Sequence, residues 1–335
     1  MLKNKILAGA MALIMPITMC LTGCSYLSMF NTFAYQYDNA LEYKAGDREI
    51  DDKVTKINLD YISGDVTVKA VDTDKVTVKE TANISLRDPQ KVHTWVNDGT
   101  LYVRFCQSTK KINFTNIKKS LELTIPSSQD LDDVIIEMSS GNLNCDGFKT
   151  EGLNVRSSSG DVKIDCAGKN IELKASSGDI ILTEKGDSEN IKIKASSGKI
   201  NVKQSGSCSA MNIDSSSGSV TADVDKVSKM DIHVSSGHIE VKGNEITELN
   251  SKASSGHNTF DFAVAPKTST IKSSSGWVKV YMPEDSDVTV KAKISSGDFN
   301  SELPFSKNGK EYTSGNGSST MDISVSSGDV DICKK

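Results

Sequence analysis

Residues 171–182 read IELKASSGDIIL, and residues 191–202 read IKIKASSGKINV. In both stretches apolar residues alternate with other residues on each side of the triplet Ser-Ser-Gly. Alternation with period two predicts short β-strands with one buried face, and glycine permits a sharp bend between them. Small residues precede the bend, so we expect Ala175 and Ser177 to point inward, where a tight corner leaves little room.

The Ser-Ser-Gly triplet recurs ten times, and eight of the nine intervals between its glycines are 18 to 21 residues long. The glycines are Gly141, Gly160, Gly178, Gly198, Gly218, Gly237, Gly256, Gly276, Gly297 and Gly328. A fixed period of this length is typical of one supersecondary unit stacked on copies of itself. We predict an all-β fold, a single-stranded β-solenoid (β-helix) with coils of about 19–20 residues.

The repeat extends upstream in a weaker form. Residues 57–68 match the coil pattern around Gly64. The strand-like runs that follow are residues 76–78, 101–105 and 121–125. We therefore expect residues 51–140 to form divergent opening strands of the solenoid.

The regular solenoid is expected over residues 141–335. Its last interval, from Gly297 to Gly328, is longer than one coil and contains the Gly- and Ser-rich residues 308–320. Such a composition predicts a loop. This loop would precede a closing coil.

The N-terminus has the pattern of a lipoprotein signal peptide. Two lysines among the first five residues precede an apolar run over residues 6–19, an order typical of a cleaved signal peptide. Residues 21–24, Leu-Thr-Gly-Cys, resemble the bacterial lipobox. The resemblance implies that residues 1–23 are removed and that Cys24 carries diacylglycerol, which would anchor an extracytoplasmic protein to the bacterial cell membrane.

Aromatic residues follow Cys24 at helical spacing. They are Tyr26, Phe30, Phe33 and Tyr37, separated by four, three and four positions. This spacing predicts one face of a short helix. Residues 24–50 would then be a lipid-anchored tether whose helix lies on the membrane, or an N-terminal cap over the open edge of the first coil. The lack of a basic face favours the cap.

The charge balance argues against nucleic acid as a partner. The chain carries 39 Lys and Arg against 44 Asp and Glu, a formal net charge of −5. Removal of residues 1–23 would leave 37 basic against 44 acidic residues, a net charge of −7. An acidic surface is repelled by a phosphate backbone.

The cysteines indicate no metal or redox motif. Of seven cysteines, Cys20 lies in the predicted signal peptide and Cys24 in the lipobox. The others are Cys106, Cys145, Cys166, Cys208 and Cys333, and no two of them form a Cys-x-x-Cys pair. A disulfide between Cys145 and Cys166 is left open, and an odd count leaves at least one thiol unpaired. We expect no cofactor.

The residue after the corner glycine is often an aspartate. These aspartates are Asp65, Asp161, Asp179, Asp298 and Asp329. Calcium-binding β-rolls carry Asp in every repeat of a glycine-rich pattern. Because Lys199 and Trp277 interrupt the column here, we favour a turn in which Asp bonds its own backbone over a calcium ladder.

The same column holds His238, His257 and Trp277 in three consecutive coils. Neighbouring strands lie about 4.8 Å apart, so these side chains should stand side by side. They are either a weak metal or sugar-stacking site or three exposed turn residues, and we favour the latter.

A second outward column lies four residues before the glycine and is mostly basic. Its cationic members are Arg156, Lys174, Lys194, Lys252, Lys272 and Lys293, with Asp214 and His233 between them. Adjacent like charges at this spacing repel by about 1 kcal/mol even in water. The stripe is therefore a candidate binding face for anionic wall polymer or lipid headgroups, although lysines also keep exposed β-structure soluble.

Catalytic motifs are missing. The sequence contains no Gly-x-Ser-x-Gly, no His-Glu-x-x-His and no phosphate-cradling glycine loop. Polysaccharide-cleaving β-helices cluster Asp, Arg and Lys in a groove with long loops, whereas this chain has four arginines and short, regular intervals. We expect no enzymatic activity.

The repeated Ser-Ser-Gly-Asp-Val/Ile segments at residues 158–162, 176–180 and 326–330 resemble the bacterial "putative adhesin" family of β-solenoid domains. The resemblance covers roughly residues 50–335 and implies an envelope-associated, non-enzymatic repeat domain. It supplies no ligand residues. Lys199, His238, His257 and Trp277 depart from the Asp that the family pattern carries after the glycine.

Three functions remain in view. The first is an adhesion or envelope-binding module that recognises an anionic wall polymer or a lipid headgroup. The second is a structural or sensory accessory that works through an envelope protein partner. The third, which we favour least, is a polysaccharide-active β-helix enzyme.

Overall fold

The computed structural model describes residues 32–114 and 116–335. This part of the chain consists almost entirely of β-strands, with one 3-10 turn at Asp88–Gln90. Successive coils are joined by parallel ladders in which equivalent positions lie opposite each other. The predicted all-β, single-stranded β-solenoid is confirmed.

The opening strands are β1 (Thr32–Tyr35), β2 (Lys44–Ala45), β3 (Arg48–Ile50), β4 (Lys56–Ser63), β5 (Val66–Val71), β6 (Val76–Ala82), β7 (His93–Asn97), β8 (Thr100–Arg104), β9 (Thr109–Asn113) and β10 (Lys119–Pro126). The middle strands are β11 (Asp130–Ser140), β12 (Leu143–Ser157), β13 (Val162–Ala175), β14 (Ile180–Glu184), β15 (Ser188–Ser197), β16 (Ile200–Ser217), β17 (Val220–Ser236) and β18 (Ile239–Ser255). The last strands are β19 (Asn258–Phe262), β20 (Thr268–Ser275), β21 (Val278–Met282), β22 (Val288–Ser296), β23 (Phe299–Ser301), β24 (Ser306–Asn308), β25 (Glu311–Ser314), β26 (Ser319–Ser327) and β27 (Val330–Lys334).

Apolar side chains of equivalent positions form continuous columns inside the solenoid. Ile171 lies opposite Ile191, and Ile180 lies opposite Ile200. All four are at most 2% exposed. The core therefore runs the length of the stack. Burial of one such side chain contributes roughly 1.5–3 kcal/mol, and each coil depends on its neighbours for that burial.

The corner requires glycine because consecutive coils approach closely there. Gly178 has φ +107°, and a Cβ at this position would overlap the carbonyl oxygen of Gly160. Ala175 is buried as predicted, but Ser177 is exposed, so its predicted inward orientation is wrong. Both serines of the triplet are exposed, here and in the next coil.

The opening segment adds no coils between Gly64 and Gly141. The amide of Gly64 donates to the carbonyl of Ser140 at 3.1 Å, so these two corners are neighbours. The intervening chain passes to the other side of the first coil, where β8 pairs with β4 and β10 pairs with β5. Antiparallel strands β7 and β6 then complete this end of the stack.

A buried ion pair lies within this opening end. Lys119 Nζ is 2.7 Å from Glu80 Oε1, and the two side chains are 0% and 3% exposed. The hydroxyl of Tyr61 and the amide of Val92 donate to the same carboxylate at 3.0 and 2.8 Å. The ammonium also lies 4.1 Å from the centre of the Phe105 ring. These partners offset the cost of burying both charges.

The last coil in sequence is not the last coil in space. Strand β26 lies between β20 and β22, so that Ile323 faces Ile271 on one side and Ala292 on the other. The expected closing coil is therefore inserted one level before the end. The expected loop over residues 308–320 contains β25, whose hairpin with β24 covers part of β22. The repeat pattern is the same in every coil, so the pattern does not specify the order of stacking.

The helix predicted from the aromatic spacing is wrong for the part of it that lies within the described residues. Residues 32–35 form β1, which pairs antiparallel with β9. Tyr26, Phe30, the predicted signal peptide at residues 1–23 and Cys24 lie outside the described residues. Within residues 32–114 and 116–335 there is no helix of the length and hydrophobicity needed to cross a membrane.

The five cysteines outside the predicted signal peptide and lipobox are free thiols, and all are buried. Cys145 lies opposite Ile164, whereas Cys166 lies opposite Phe148 and Glu184. The two sulfur atoms are therefore out of register, and the disulfide left open by the sequence does not form. Burial raises the pKa of the Cys166 thiol to about 12, so this thiol is unreactive.

Candidate functional site

A shallow groove of about 760 Å³ runs along one face of the solenoid. One wall is the predicted outward column at its Arg156, Lys174, Lys194, Asp214 and His233, extended by Glu137 one coil earlier. The other wall is the row of serines two positions before each glycine: Ser139, Ser158, Ser176, Ser196, Ser216 and Ser235. The parallel register places these residues in adjacent coils, so the groove is polar and repetitive along its length.

The half of the stripe nearer the N-terminus is neutralised. Arg156 is 3.1 Å from Glu137, and Lys194 is 3.0 Å from Asp214. Lys174 is 2.6 Å from Glu172. We call Arg156, Lys174 and Lys194 the paired half of the stripe. These exposed pairs contribute at most ~1 kcal/mol each to stability, but they reduce the positive potential that an anion would meet.

The other half of the stripe has no such partners. Lys252 faces Lys272, and Ser324 lies between Lys272 and Lys293 because β26 is inserted there. All three lysines are exposed, and none of them has an ion-pair partner in the described part of the chain. We call Lys252, Lys272 and Lys293 the open half of the stripe.

The open half borders a second cavity of about 270 Å³, which we call the basic cleft. Lys272, Lys291, Lys293 and Lys310 line it, together with Asp322. Lys291 is held 3.1 Å from Glu311 on β25. Four lysines thus border the cleft, and two carboxylates lie beside them, so the cleft carries a net positive charge.

The sequence repeat predicted two lysines of the cleft and missed the other two. Lys291 lies two residues before Lys293 on the same strand. Strand alternation places both side chains on the same face, so this pattern could have predicted Lys291. Lys310 is in the turn between β24 and β25 and belongs to no repeat. The position of Lys310 beside the basic cleft depends on how the β24–β25 hairpin folds back over β22.

The aspartates after the glycine bond the next coil rather than their own backbone. Asp161 Oδ1 accepts the amide of Asp179 at 2.9 Å, and Asp179 Oδ1 accepts the amide of Lys199 at 2.7 Å. The favoured prediction of a self-bonded turn is therefore wrong. These carboxylate oxygens link neighbouring coils by hydrogen bonds at the corner. This role explains why aspartate recurs after the glycine.

His238, His257 and Trp277 form a continuous stack along the corner. The ring centres of the two histidines are 5.2 Å apart, and those of His257 and Trp277 are 4.5 Å apart, with interplanar angles of 12° and 15°. His257 thus has an aromatic ring on each face. Both faces of the His257 ring are therefore covered, and a sugar ring cannot stack on this imidazole.

Glu184 is an acid in the core that the sequence analysis did not single out. It is fully buried, and its Oε1 accepts the amide of Gly186 at 2.8 Å. Burial raises the pKa of this carboxyl from its ordinary value of 4.5 to about 7. Gln204 occupies the same column in the next coil. Glu184 does not contact either groove, so it affects stability rather than binding.

The family assignment follows from a match over most of the chain. The family model described as Toastrack DUF4097 matches residues 54–180 and, a second time, residues 167–333. The chain belongs to the Toastrack DUF4097 family. The Toastrack matches include the first coil at Gly64 and the regular coils, and they confirm the resemblance predicted from the Ser-Ser-Gly-Asp repeats.

Several solved structures resemble this Toastrack chain at low sequence identity. A "putative adhesin" from Parabacteroides merdae is 11% identical and has a TM-score of 0.41, with 90% of this chain and 99% of that chain covered. A "putative adhesin" from Bacteroides fragilis is 14% identical at a TM-score of 0.30, covering 88% and 97%. A "putative cell adhesion protein" from Clostridium sporogenes is 11% identical at a TM-score of 0.28, covering 88% and 100%. Among curated proteins, none has a sequence that matches this Toastrack chain.

Proposed function

We propose that this Toastrack protein is a non-enzymatic, lipid-anchored envelope protein that binds an anionic wall polymer through the open half of its basic stripe. The observation that carries the proposal is the contrast within the stripe. Arg156, Lys174 and Lys194 are each held by a carboxylate, whereas Lys252, Lys272 and Lys293 are exposed and unpaired among the described residues.

The spacing of the charges suits a polymer rather than a small ion. Lys252, Lys272 and Lys293 lie along the stack axis, with one strand spacing of about 4.8 Å between the first two and two spacings between the last two, where Ser324 intervenes. Lys291 and Lys310 widen the positive surface at the basic cleft. An extended polyanion gains from each ammonium in turn, and the attraction weakens with salt because these groups are solvent-exposed.

Support for a non-enzymatic role comes from the acids of the groove. Of the three acids that line the groove, Glu137 and Asp214 are each engaged by a cation. The third, Asp60, lies opposite Glu137, and the nearby Arg104 guanidinium opposes the rise in its pKa that burial causes. The stacked imidazole of His238 accepts a backbone amide. Each of these groups already has a structural partner.

The lipid anchor at Cys24 is part of the proposal and is tested separately. Cells that express the chain are labelled with a fatty-acid analogue. Label on the wild type and none on Cys24→Ala is expected, because the thiol is the acceptor. Equal labelling of both would contradict the anchor.

Polymer binding is tested with the detergent-solubilised full chain on isolated anionic wall polymer, on peptidoglycan and on anionic vesicles, across a salt series. Charge reversal of Lys252, Lys272 and Lys293 should abolish salt-sensitive retention on the polymer. The matched control reverses Lys163, Lys203 and Lys242, which are exposed on the strands after the corner, and so changes the net charge equally. An equal loss of retention in both triple variants would show that net charge alone, and not the open half, determines binding.

Two further outcomes would contradict the polymer as ligand. Lack of retention on the polymer, together with salt-sensitive retention on anionic vesicles that the triple variant loses, would assign the open half to lipid headgroups. Lack of retention on every surface, with capture of one membrane protein by crosslinking in cells, would favour the accessory function instead.

A further inference from the structure

Four aromatic rings form a ladder on the outer surface of the opening end. The ring centres of Tyr37 and Tyr43 are 4.7 Å apart, those of Tyr43 and Trp95 are 5.6 Å apart, and those of Trp95 and Tyr102 are 5.3 Å apart. We call these four residues the aromatic ladder. It belongs neither to the repeat nor to either groove.

The ladder is not part of the core. On β8 the residues on either side of Tyr102, Leu101 and Val103, are 0% exposed and fill the interior, so Tyr102 points outward. Trp95 lies opposite Tyr102 on β7, and all four rings are half-buried. Each ring thus keeps part of its surface in contact with solvent, although Tyr37 also packs against the core and its hydroxyl donates to the carbonyl of Cys106 at 3.0 Å.

A fully exposed leucine accompanies the ladder. Leu41 lies in the turn between Tyr37 and Tyr43 and is 98% exposed, the most exposed large apolar side chain in the described residues. The turn carries Asp38 and Glu42, while Lys44 follows it. The Arg104 guanidinium lies 5.4 Å from the ring centre of Tyr102. Local acids and bases are therefore balanced.

The ladder lies where the described chain begins. Tyr35 ends β1 and its ring centre is 5.4 Å from that of Tyr37. Only seven residues lie between Cys24 and Thr32, and the eight Cα-to-Cα steps span at most about 29 Å however they run. A lipid on Cys24 would therefore keep this surface within reach of the bilayer.

We infer that the aromatic ladder and Leu41 form a docking surface for the lipid bilayer, so that the solenoid rests on the membrane by its opening end. The inference rests on the proposed lipid anchor at Cys24. Tyr and Trp rings favour the headgroup level because one edge is apolar and the other is polar, and Leu41 supplies an apolar tip. Since the local charges balance, docking is the same on zwitterionic and anionic lipids.

The two tryptophans of the chain make the test direct. Trp95 is in the ladder, and Trp277 lies ten strand spacings further along the stack, roughly 50 Å away. Trp277→Phe leaves Trp95 as the only indole, and Trp95→Phe leaves Trp277. Each full-length lipidated chain is reconstituted into phosphatidylcholine vesicles that contain brominated acyl chains.

Strong quenching of Trp95, with Trp277 unquenched, is the expected result. Leu41→Glu in the Trp277→Phe background should reduce the quenching several-fold, whereas Val264→Glu, which also alters an exposed apolar residue, should not. Leu41 makes no buried contact, so its substitution leaves the fold intact.

Three results would overturn the docking surface. They are an unquenched Trp95 in a vesicle-bound chain, quenching of both tryptophans alike, and quenching that Leu41→Glu leaves unchanged. Fatty-acid labelling of Cys24 separates a failed anchor from a failed ladder, and polymer retention through the basic cleft is unaffected by either.

Discussion

The Nδ1 atom of His238 accepts a hydrogen bond from the backbone amide of His257 in the next coil, at 3.1 Å. In other coils the acceptor is a carboxylate, as where Asp161 receives the amide of Asp179. An imidazole nitrogen therefore replaces an aspartate oxygen in the inter-coil bonding of the corner. His238 thus differs from the Asp of the repeat pattern but keeps the inter-coil hydrogen bond.

This relationship predicts the outcome of two substitutions at one position. His238→Asp should leave stability nearly unchanged, because Asp makes the same bond elsewhere in the stack. His238→Ala should lower the free energy of unfolding by about 1 kcal/mol, the usual net value of a hydrogen bond. Urea denaturation followed by tryptophan fluorescence measures both. Equal stability of the two variants would show that the bond contributes nothing.

The corner glycines predict a position-dependent cost of alanine. Gly198→Ala should destabilise the protein by roughly 1–3 kcal/mol or more, since φ is +113° and the new Cβ would overlap the carbonyl oxygen of Gly178. Gly309→Ala is the control, because Gly309 also has a positive φ, +63°, but has no atom within 4 Å of the added Cβ. Thermal denaturation should show the larger loss at Gly198, and a reversed order would argue against close approach of the corners.

The buried ion pair predicts a large effect of removing one partner. Lys119→Met should cost about 3–5 kcal/mol, because the carboxylate of Glu80 would be left buried without its cation. Lys91→Met tests an exposed pair of the same length, since Lys91 and Asp88 are also 2.7 Å apart, and should have little effect on stability because solvent screens the two charges. Denaturant midpoints compare the two variants.

Restoring neutrality should recover part of that loss. The double variant Lys119→Met with Glu80→Gln is expected to be more stable than Lys119→Met alone, because the uncompensated charge is gone. Strictly additive losses would mean that the two groups do not interact.

Glu184 predicts that stability falls as pH rises. Its pKa is about 7 when folded and 4.5 ordinarily, so between these values the unfolded chain releases a proton that the folded chain retains. The contribution to the free energy of unfolding is complete below about pH 4.5, declines up to pH 7 and is lost above it. The full difference is on the order of 3 kcal/mol, because one pKa unit corresponds to about 1.4 kcal/mol.

Glu184→Gln should remove that part of the pH dependence, and a glutamine fits because Gln204 fills the same column in the next coil. Denaturation of wild type and variant at pH 5 and pH 8 provides the comparison, with the exposed Glu240→Gln as the control. An unchanged pH dependence in Glu184→Gln would assign the effect to other groups.

The sequence by itself determined the local architecture of the coil. Residue spacing around Gly178 specified two strands, a corner and a buried face, because strand alternation and the need for glycine are local properties. It also determined which side chains share a column, since parallel in-register stacking places equivalent positions side by side. The neighbours Lys252 and Lys272, and the stack of His257 on Trp277, follow from that rule.

Tertiary structure alone decided relationships between distant segments. The insertion of β26 separates Lys272 from Lys293 by Ser324, and the fold of the β24–β25 hairpin brings Lys310 to the basic cleft. The pair of Lys119 with Glu80, and the ladder from Tyr43 to Tyr102, likewise join residues far apart in the chain. These contacts depend on which sheet edge each segment covers, and a repeated pattern offers many equivalent edges. Packing at the ends of the stack, where the repeat stops, selects among them.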